Sequence, residues 1–206
     1  MHANPAASRT LTRPRSQPQP ARRLLPVQAG LVALAFPWLF SNPWPVVLLA
    51  GAAVIGLRLL AVCDAPWARR ARLLGSESNE DLWLAGGVCL AYLWSAAEPL
   101  AYCIAILVLV FGPTAATLAR AGFTPNTHTS GGAGKRAVGS LAFFVTAATI
   151  ASVALIAGAG LRPGESFAAA LLLATVTTGI EASVGDGPDF LLVPVGALVA
   201  LQFTAL

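Results

Sequence analysis

The chain has 206 residues, of which 56% are hydrophobic and only 11% are charged, whereas a soluble domain has about 25% charged residues. This composition excludes an ordinary soluble domain and predicts a polytopic membrane protein. The net charge is +4, but the basic residues lie beside hydrophobic segments, which favours a membrane surface over nucleic acid as their partner.

Residues 1–21 contain four prolines, three arginines and no acidic residue. A segment of this composition cannot bury a hydrophobic core. We therefore predict a disordered, basic, proline-rich cytoplasmic tail, followed by a single transmembrane helical domain over residues 22–206.

Hydrophobic segments fill most of that domain. A transmembrane helix needs about 20 mostly apolar residues, and no segment shows the alternation of a barrel strand. The predicted fold class is therefore all-α, a polytopic membrane bundle of about seven transmembrane helices. The predicted spans are 24–40, 44–63, 82–97, 99–119, 137–161, 166–184 and 190–206.

The distribution of the 13 basic residues predicts the orientation. Five precede the first span, four flank the connection between spans two and three, three flank that between spans four and five, and one lies on the opposite side. Cytoplasmic connections carry such an excess of Lys and Arg. We expect a cytoplasmic N-terminus in a bacterial inner membrane. In chain order the residues are Arg9, Arg13, Arg15, Arg22, Arg23, Arg58, Arg69, Arg70, Arg72, Arg120, Lys135, Arg136 and Arg162.

Two local features are predicted along the way. Residues 67–74 have the spacing of a short amphipathic helix at the membrane interface. Pro113 lies inside the fourth span, where it removes a hydrogen bond and clashes with the preceding turn, so we expect a kink or a break near Gly112.

The long polar connection between spans four and five ends in GGAGKR, residues 131–136. Glycine lets a backbone approach an anion closely, and Lys135 beside the start of a helix at 137 would add positive charge there. A flexible loop with a basic topology signal is the alternative interpretation. The phosphate-binding loop pattern fails, because Thr129 replaces its glycine and Arg136 its Ser or Thr.

The connection between the last two spans carries three acidic residues, Glu181, Asp186 and Asp189. Carboxylates near hydrocarbon are costly unless they are paired or reach water. With this topology the three acidic residues lie on the same side of the membrane as Lys135 and Arg136. They either form a structural ion pair with the basic connection or bind a nucleotide phosphate together with a divalent ion.

Five segments in this order resemble the integral-membrane family of phytol kinase, dolichol kinase, CTP-dependent diacylglycerol kinase and related polyprenol kinases. The resemblance covers about residues 22–206. The segments are RRLLPV at 22–27 with FPWLF at 36–40, ESNEDLW at 77–83, FGPTAA at 111–116, KRAVGSLAFF at 135–144, and EA at 181–182 with DFLLVP at 189–194.

The resemblance implies transfer of a phosphoryl group from CTP, or another nucleoside triphosphate, to a long-chain isoprenoid alcohol or diacylglycerol. It also implies Mg²⁺ or another divalent ion. The implied catalytic residues are Lys135, Glu181 and Asp189, with Glu181 and Asp189 holding the metal. The implied nucleotide-binding residues are Gly112, Lys135, Arg136, Gly139 and Ser140, with Gly139 and Ser140 letting the nucleotide approach backbone N–H groups. The partners are then a membrane lipid and a nucleotide, and a homo-oligomer is compatible with this reading.

The sequence departs from the family pattern at Pro26, Pro113, Arg136, Val138 and Phe190. An acid lost from a phosphoryl-transfer site can cost several orders of magnitude in rate. A catalytically inactive relative that binds lipid or a partner protein is therefore the second hypothesis. A phosphatidate cytidylyltransferase-like enzyme and a transporter are further alternatives.

Overall fold

A computed structural model describes residues 24–40, 42–62, 80–95, 98–122, 131–184 and 188–204. Throughout these ranges the chain forms helices and no strand, so the all-α prediction is confirmed. The tail at 1–21, the amphipathic helix predicted at 67–74 and Asp186 lie outside the described residues.

The helices follow the hydrophobic segments closely. The π-helical turn Leu155–Ala159 continues the helix Gly131–Ala154, and Gly160 ends it with a left-handed backbone (φ 63°). The bounds are α1 Leu24–Ala33, α2 Phe36–Leu39, α3 Pro43–Val62, α4 Glu80–Trp94, α5 Pro99–Gly122, α6 Gly131–Ala154, α7 Pro163–Ser183 and α8 Asp189–Phe203.

Within the described ranges, three helices are long and apolar enough to cross a membrane, at Pro99–Gly122, Gly134–Ala159 and Pro163–Ser183. Shorter apolar helices include Leu82–Trp94 and Asp189–Phe203. A 15-residue helix is about 22 Å long, less than the roughly 30 Å of a bilayer core. The described part of the chain is thus all-helical and of membrane character, and it contains three helices of full spanning length.

The surface supports that class. Trp38, Trp44, Leu48 and Phe203 are each at least 70% exposed, and other large apolar residues on α6 and α7 are exposed as well. Soluble monomers seldom leave so much large apolar surface in contact with water. A lipid environment removes that penalty, because hydrocarbon tails are as apolar as these side chains.

Helix α5 is the centre of the bundle. Tyr102, Ile104, Ile106 and Leu109 are buried along it, and it packs against α6 and α8 as well as α1. Gly112 allows a close approach to α6, because an added Cβ would lie 2.5 Å from Cε2 of the buried Phe143 ring. Gly139 near the start of α6 lies against Arg120 at the end of α5, and Gly158 in the turn that continues α6 lies against Leu100 at the start of α5. Helices α5 and α6 therefore run antiparallel, and α6 packs in turn on α7.

The first hydrophobic segment is divided where a proline interrupts its hydrogen bonding. Pro37 has no N–H to donate to the carbonyl of Ala33, four residues earlier. The hydroxyl of the buried Tyr102 donates to that carbonyl instead, at 2.9 Å. An interhelical hydrogen bond thus replaces the missing intrahelical one, which is how proline is tolerated in membrane helices.

Pro113 does not end its helix. Helix α5 is continuous from Pro99 to Gly122, so of the two expected alternatives the break near Gly112 does not occur, and the kink stays a prediction. The Thr114 hydroxyl donates to the Val110 carbonyl at 2.7 Å, which gives the polar side chain a partner inside the apolar segment. Packing of Gly112 on Phe143 holds this part of the helix in place.

Pro194 in α8 has no N–H to donate to the carbonyl of Phe190, four residues earlier. Gly87 of α4 faces this carbonyl so closely that an added Cβ would overlap its oxygen and lie 3.1 Å from its carbon. The Cα of Gly87 therefore faces the Phe190 carbonyl oxygen, and a Cα–H group is a weak donor to such an oxygen. The backbones of α4 and α8 therefore meet directly at this point.

Candidate functional site

A polar cluster joins three helices at one end of the bundle. Arg120 lies in the last turn of α5, Ser140 in the third turn of α6 and Glu181 in the last turn of α7. The guanidinium of Arg120 donates through Nη2 to Oε1 of Glu181. The Ser140 hydroxyl donates to Oε2 of the same carboxylate at 3.2 Å. We call Arg120, Ser140 and Glu181 the polar cluster.

The charges in this cluster depend on each other. Glu181 is only 10% exposed and lies at the carboxyl end of a helix, where the helix dipole disfavours an anion. Arg120 lies at a helix end where the dipole favours a cation. The ion pair therefore offsets both the dipole and the desolvation of the carboxylate, and removal of one partner would leave a poorly solvated charge.

Gly139 leaves open the space that the Arg120 side chain occupies. An added Cβ at position 139 would overlap Nε of Arg120 and lie 2.8 Å from its Cγ and Cζ. The arginine side chain thus lies flat on the backbone of α6, on a surface that only glycine leaves open. Gly139 is itself buried.

Two polar atoms near the ion pair are buried without a hydrogen-bond partner among the described residues. One is Nε of Arg120 and the other is Oγ1 of Thr178, three residues before Glu181 and on the same side of α7. Buried polar atoms are nearly always hydrogen-bonded in proteins. The cluster therefore retains hydrogen-bonding capacity beyond the Arg120–Glu181 pair.

Lys135 and Arg136 are exposed on the early turns of α6, and neither forms an ion pair with another described residue. Lys135 precedes Ser140 by five residues, or about 7.5 Å of helix, so it lies at the same end of the bundle as Glu181. Helix α6 begins at Gly131, earlier than predicted. The N–H groups of Gly139 and Ser140 are thus inside the helix, beyond its first four residues, whose N–H groups have no intrahelical partner. The assignment of these two residues to a nucleotide stays a prediction.

The two remaining predicted site residues lie on α8 and α5. Asp189 begins α8, where its Oδ1 accepts from the Phe190 N–H at 2.9 Å, after the short connection that follows α7. Gly112 lies eight residues before Arg120, or about 12 Å along α5, buried against Phe143. The structure therefore gives Gly112 a packing role.

Sequence reasoning did not single out Arg120. The signal was present, because Arg120 is a cation in the last turn of an apolar span, on the side predicted for the acidic connection. An ion pair between basic and acidic connections was one of the two alternatives, and an ion pair is what forms. Its cation is Arg120, whereas the sequence pointed to Lys135 and Arg136.

The described residues contain no group of three or more His, Cys, Asp or Glu side chains placed to hold a metal ion. A carboxylate pair would still suit Mg²⁺, which is usually held by one or two carboxylates plus substrate phosphates. The class that the fold and the cluster define is an all-helical membrane protein with a charged cluster at one end. No family model, curated protein or solved structure matches the chain.

Proposed function

We propose that the protein is a seven-span membrane kinase that transfers a phosphoryl group from CTP, or another nucleoside triphosphate, to a long-chain isoprenoid alcohol or diacylglycerol. One observation carries the proposal. Segments 135–144 and 181–194, which resemble the lipid-alcohol kinase family separately in sequence, meet in space through the hydrogen bond from Ser140 to Glu181. The reaction would take place at the end of the bundle that holds the polar cluster.

The proposed orientation places this end in the cytoplasm of a bacterial inner membrane. Lys135 and Arg136 are exposed there, where a soluble nucleotide arrives. The alcohol would reach the same end from the bilayer along the apolar helix surfaces. This arrangement lets a water-soluble donor and a lipid acceptor meet at one membrane face.

The residues have distinct parts in the proposed reaction. Lys135 binds the terminal phosphates as a point charge. The alcohol oxygen forms a bond to the γ-phosphorus while the bond from that phosphorus to the bridging oxygen breaks, CDP leaves, and the hydroxyl proton passes to the Asp189 carboxylate. Glu181 and Asp189 would hold a divalent ion, which supplies charge neutralisation to the phosphates.

Phosphoryl transfer is the test. Purified protein in detergent is incubated with γ-labelled CTP, Mg²⁺ and a panel containing a polyprenol, phytol and diacylglycerol. Transfer to one of these alcohols, reduced at least tenfold in Lys135→Ala, is the expected result. The matched control is Arg162→Ala, because Arg162 is an exposed cation at the opposite end of α7. No transfer above the Lys135→Ala background defeats the proposal.

A catalytically inactive relative is the second candidate. The engagement of both Glu181 oxygens, by Arg120 and Ser140, favours it, since a metal ion would have to share that carboxylate. The missing acid at Pro113 points the same way. On this reading turnover appears only after an acid is restored, as in Pro113→Asp, and turnover of the unaltered chain excludes it.

A further inference from the structure

We infer that Arg120 is the binding residue for a phosphate group at this end of the bundle, and that Glu181 is its internal counter-ion, which a bound phosphate displaces. This inference deepens the proposed function, because it assigns the anion site to a residue outside the segments that resemble the kinase family. The relevant chemistry is a phosphate dianion or diester, carried either by a nucleotide or by a lipid headgroup.

Positive charge is clustered on two neighbouring helices. Among the described residues, Arg120 at the end of α5 and Lys135 and Arg136 early in α6 lie at this end of the bundle, and the carboxylates there belong to α4, α7 and α8. The two helices are in contact here, because Arg120 lies on Gly139. A cluster of cations raises the local concentration of an anion.

Exposure determines which partner meets a ligand. The Arg120 side chain is 33% exposed and that of Glu181 only 10%, so the carboxylate lies behind the guanidinium. A guanidinium has five N–H donors. The described bond to Glu181 uses Nη2 and Nε is buried against Gly139, which leaves the other N–H groups of the two Nη atoms without a described acceptor. The exposed part of Arg120 therefore offers donors to an anion that arrives from the aqueous side.

Arginine suits this task. Its planar fork matches two phosphate oxygens at once, and here contact with the Gly139 backbone holds the Arg120 side chain against α6 before any ligand arrives. Preorganisation of this kind lowers the cost of binding. Lys135, about 7.5 Å along α6 from Ser140, supplies a second positive charge for the same ligand.

The experiment measures ligand-induced shifts in the melting temperature of the full chain in detergent with EDTA present. The phosphate probes are CTP and dioleoyl phosphatidate, and cytidine and diacylglycerol are their phosphate-free counterparts. The variants are Glu181→Gln, Arg120→Gln and the double variant, which removes both charges so that neither is left buried alone. Arg162→Gln and Glu165→Gln are matched controls at the opposite end of the bundle.

We expect at least one phosphate probe to raise the melting temperature of the wild type, while its phosphate-free counterpart does not. Affinity should rise about tenfold in Glu181→Gln, where the competing carboxylate is neutral, and fall at least tenfold in the double variant, as loss of a charged hydrogen bond predicts. A response to CTP alone identifies a nucleotide site, and a response to phosphatidate alone identifies a lipid headgroup site.

Three results would overturn the inference: no shift with either probe, wild-type affinity in the double variant, or weaker binding in Glu181→Gln. Its failure is distinct from that of the proposed kinase. Phosphate binding that requires Arg120, without phosphoryl transfer, removes the kinase and keeps the anion site. Phosphoryl transfer by Arg120→Gln at the wild-type rate keeps the kinase and removes Arg120 as the phosphate-binding residue.

Discussion

The guanidinium of Arg120 lies directly on the backbone of Gly139, with no room for a methyl group between them. The ion pair with Glu181 of α7 holds the Arg120 side chain in this position. A larger side chain at position 139 of α6 would therefore disturb the ion pair between α5 and α7. At this end of the bundle, helix packing and the ion pair depend on each other.

Replacement of Gly139 by alanine tests that coupling. Alanine is favoured over glycine inside a helix by about 1 kcal/mol, but here its methyl group must displace Arg120 from Glu181. We expect a net loss of about 1–2 kcal/mol in the free energy of unfolding, typical of an overpacked site. The measurement is SDS-induced unfolding of the purified protein in detergent.

The control is the same substitution in a chain that already carries Arg120→Ala and Glu181→Gln. Without the guanidinium, the space above position 139 is open, and only the helix propensity of alanine remains. Gly139→Ala should then stabilise the protein by up to about 1 kcal/mol. An unchanged sign in the two backgrounds would mean that Arg120 does not occupy that space in solution.

The helical fold could be predicted from hydrophobicity alone, because each apolar segment of 15 residues or more forms a helix over most of its length. The ends were harder to predict. Residues 131–136 are rich in glycine, which disfavours helices, yet α6 already begins at Gly131. Packing of the rest of α6 against α5 and α7 overrides the local preference.

The candidate site was predicted only in part, and the reason is physical. The sequence identified Glu181 as a carboxylate in need of a partner, but several cations were available on that side. Which cation reaches Glu181 depends on how far α5 continues past Pro113, and this length is a property of the tertiary structure. The flat packing of Arg120 on Gly139 likewise needs the relative rotation of two helices, which no local pattern encodes.

Substitution of Tyr102 by phenylalanine tests the replacement of a missing hydrogen bond. The Tyr102 hydroxyl donates to the Ala33 carbonyl, which Pro37 cannot serve. The ring would still fit, but the buried carbonyl would lose its donor. We expect a loss of about 1–2 kcal/mol in the free energy of unfolding, measured by SDS-induced unfolding.

The mechanism is checked by adding Pro37→Ala, which returns an N–H four residues after Ala33. The cost of Tyr102→Phe should then fall to a few tenths of a kcal/mol, because an intrahelical bond can form. Equal costs with and without Pro37 would show that the carbonyl has another donor. Such a cycle isolates the pairwise coupling between the two positions.

Two neighbouring glycines of α4 provide a comparison with opposite expected results. A methyl group on Gly87 would overlap the Phe190 carbonyl oxygen, which is backbone and cannot move aside, whereas one on Gly86 would lie 3.4 Å from Cδ1 of Leu191, an ordinary contact. Gly87→Ala should cost about 2–3 kcal/mol. Gly86→Ala should be neutral or stabilising by up to about 1 kcal/mol.

Thermal unfolding of both variants in the same detergent tests whether the methyl group costs more stability at Gly87 than at Gly86. Equal melting temperatures for Gly86→Ala and Gly87→Ala would mean that α4 and α8 do not meet at Phe190. Because both variants add the same methyl group to the same helix, helix propensity and expression affect them alike. The difference between them reports the interhelical contact alone.

The span of α6 can be tested by labelling single cysteines at Lys135 and Arg162 in a chain whose native cysteines, Cys63, Cys89 and Cys103, are replaced by alanine. From Lys135 to Ala159 the helix rises about 36 Å, enough to cross a bilayer core of roughly 30 Å. A membrane-impermeant maleimide should therefore label Arg162→Cys in intact spheroplasts and Lys135→Cys only in inverted vesicles.

Each other outcome of the labelling has a definite meaning. Labelling of both cysteines from one side would show that α6 does not cross the membrane, and the seven-span arrangement would be lost with it. The reverse sidedness would keep the span but place the polar cluster outside, away from cytoplasmic CTP. Because the lipid-kinase proposal needs a nucleotide at Lys135, reversed labelling would exclude it, while phosphate binding at Arg120 would still be open to an extracytoplasmic headgroup.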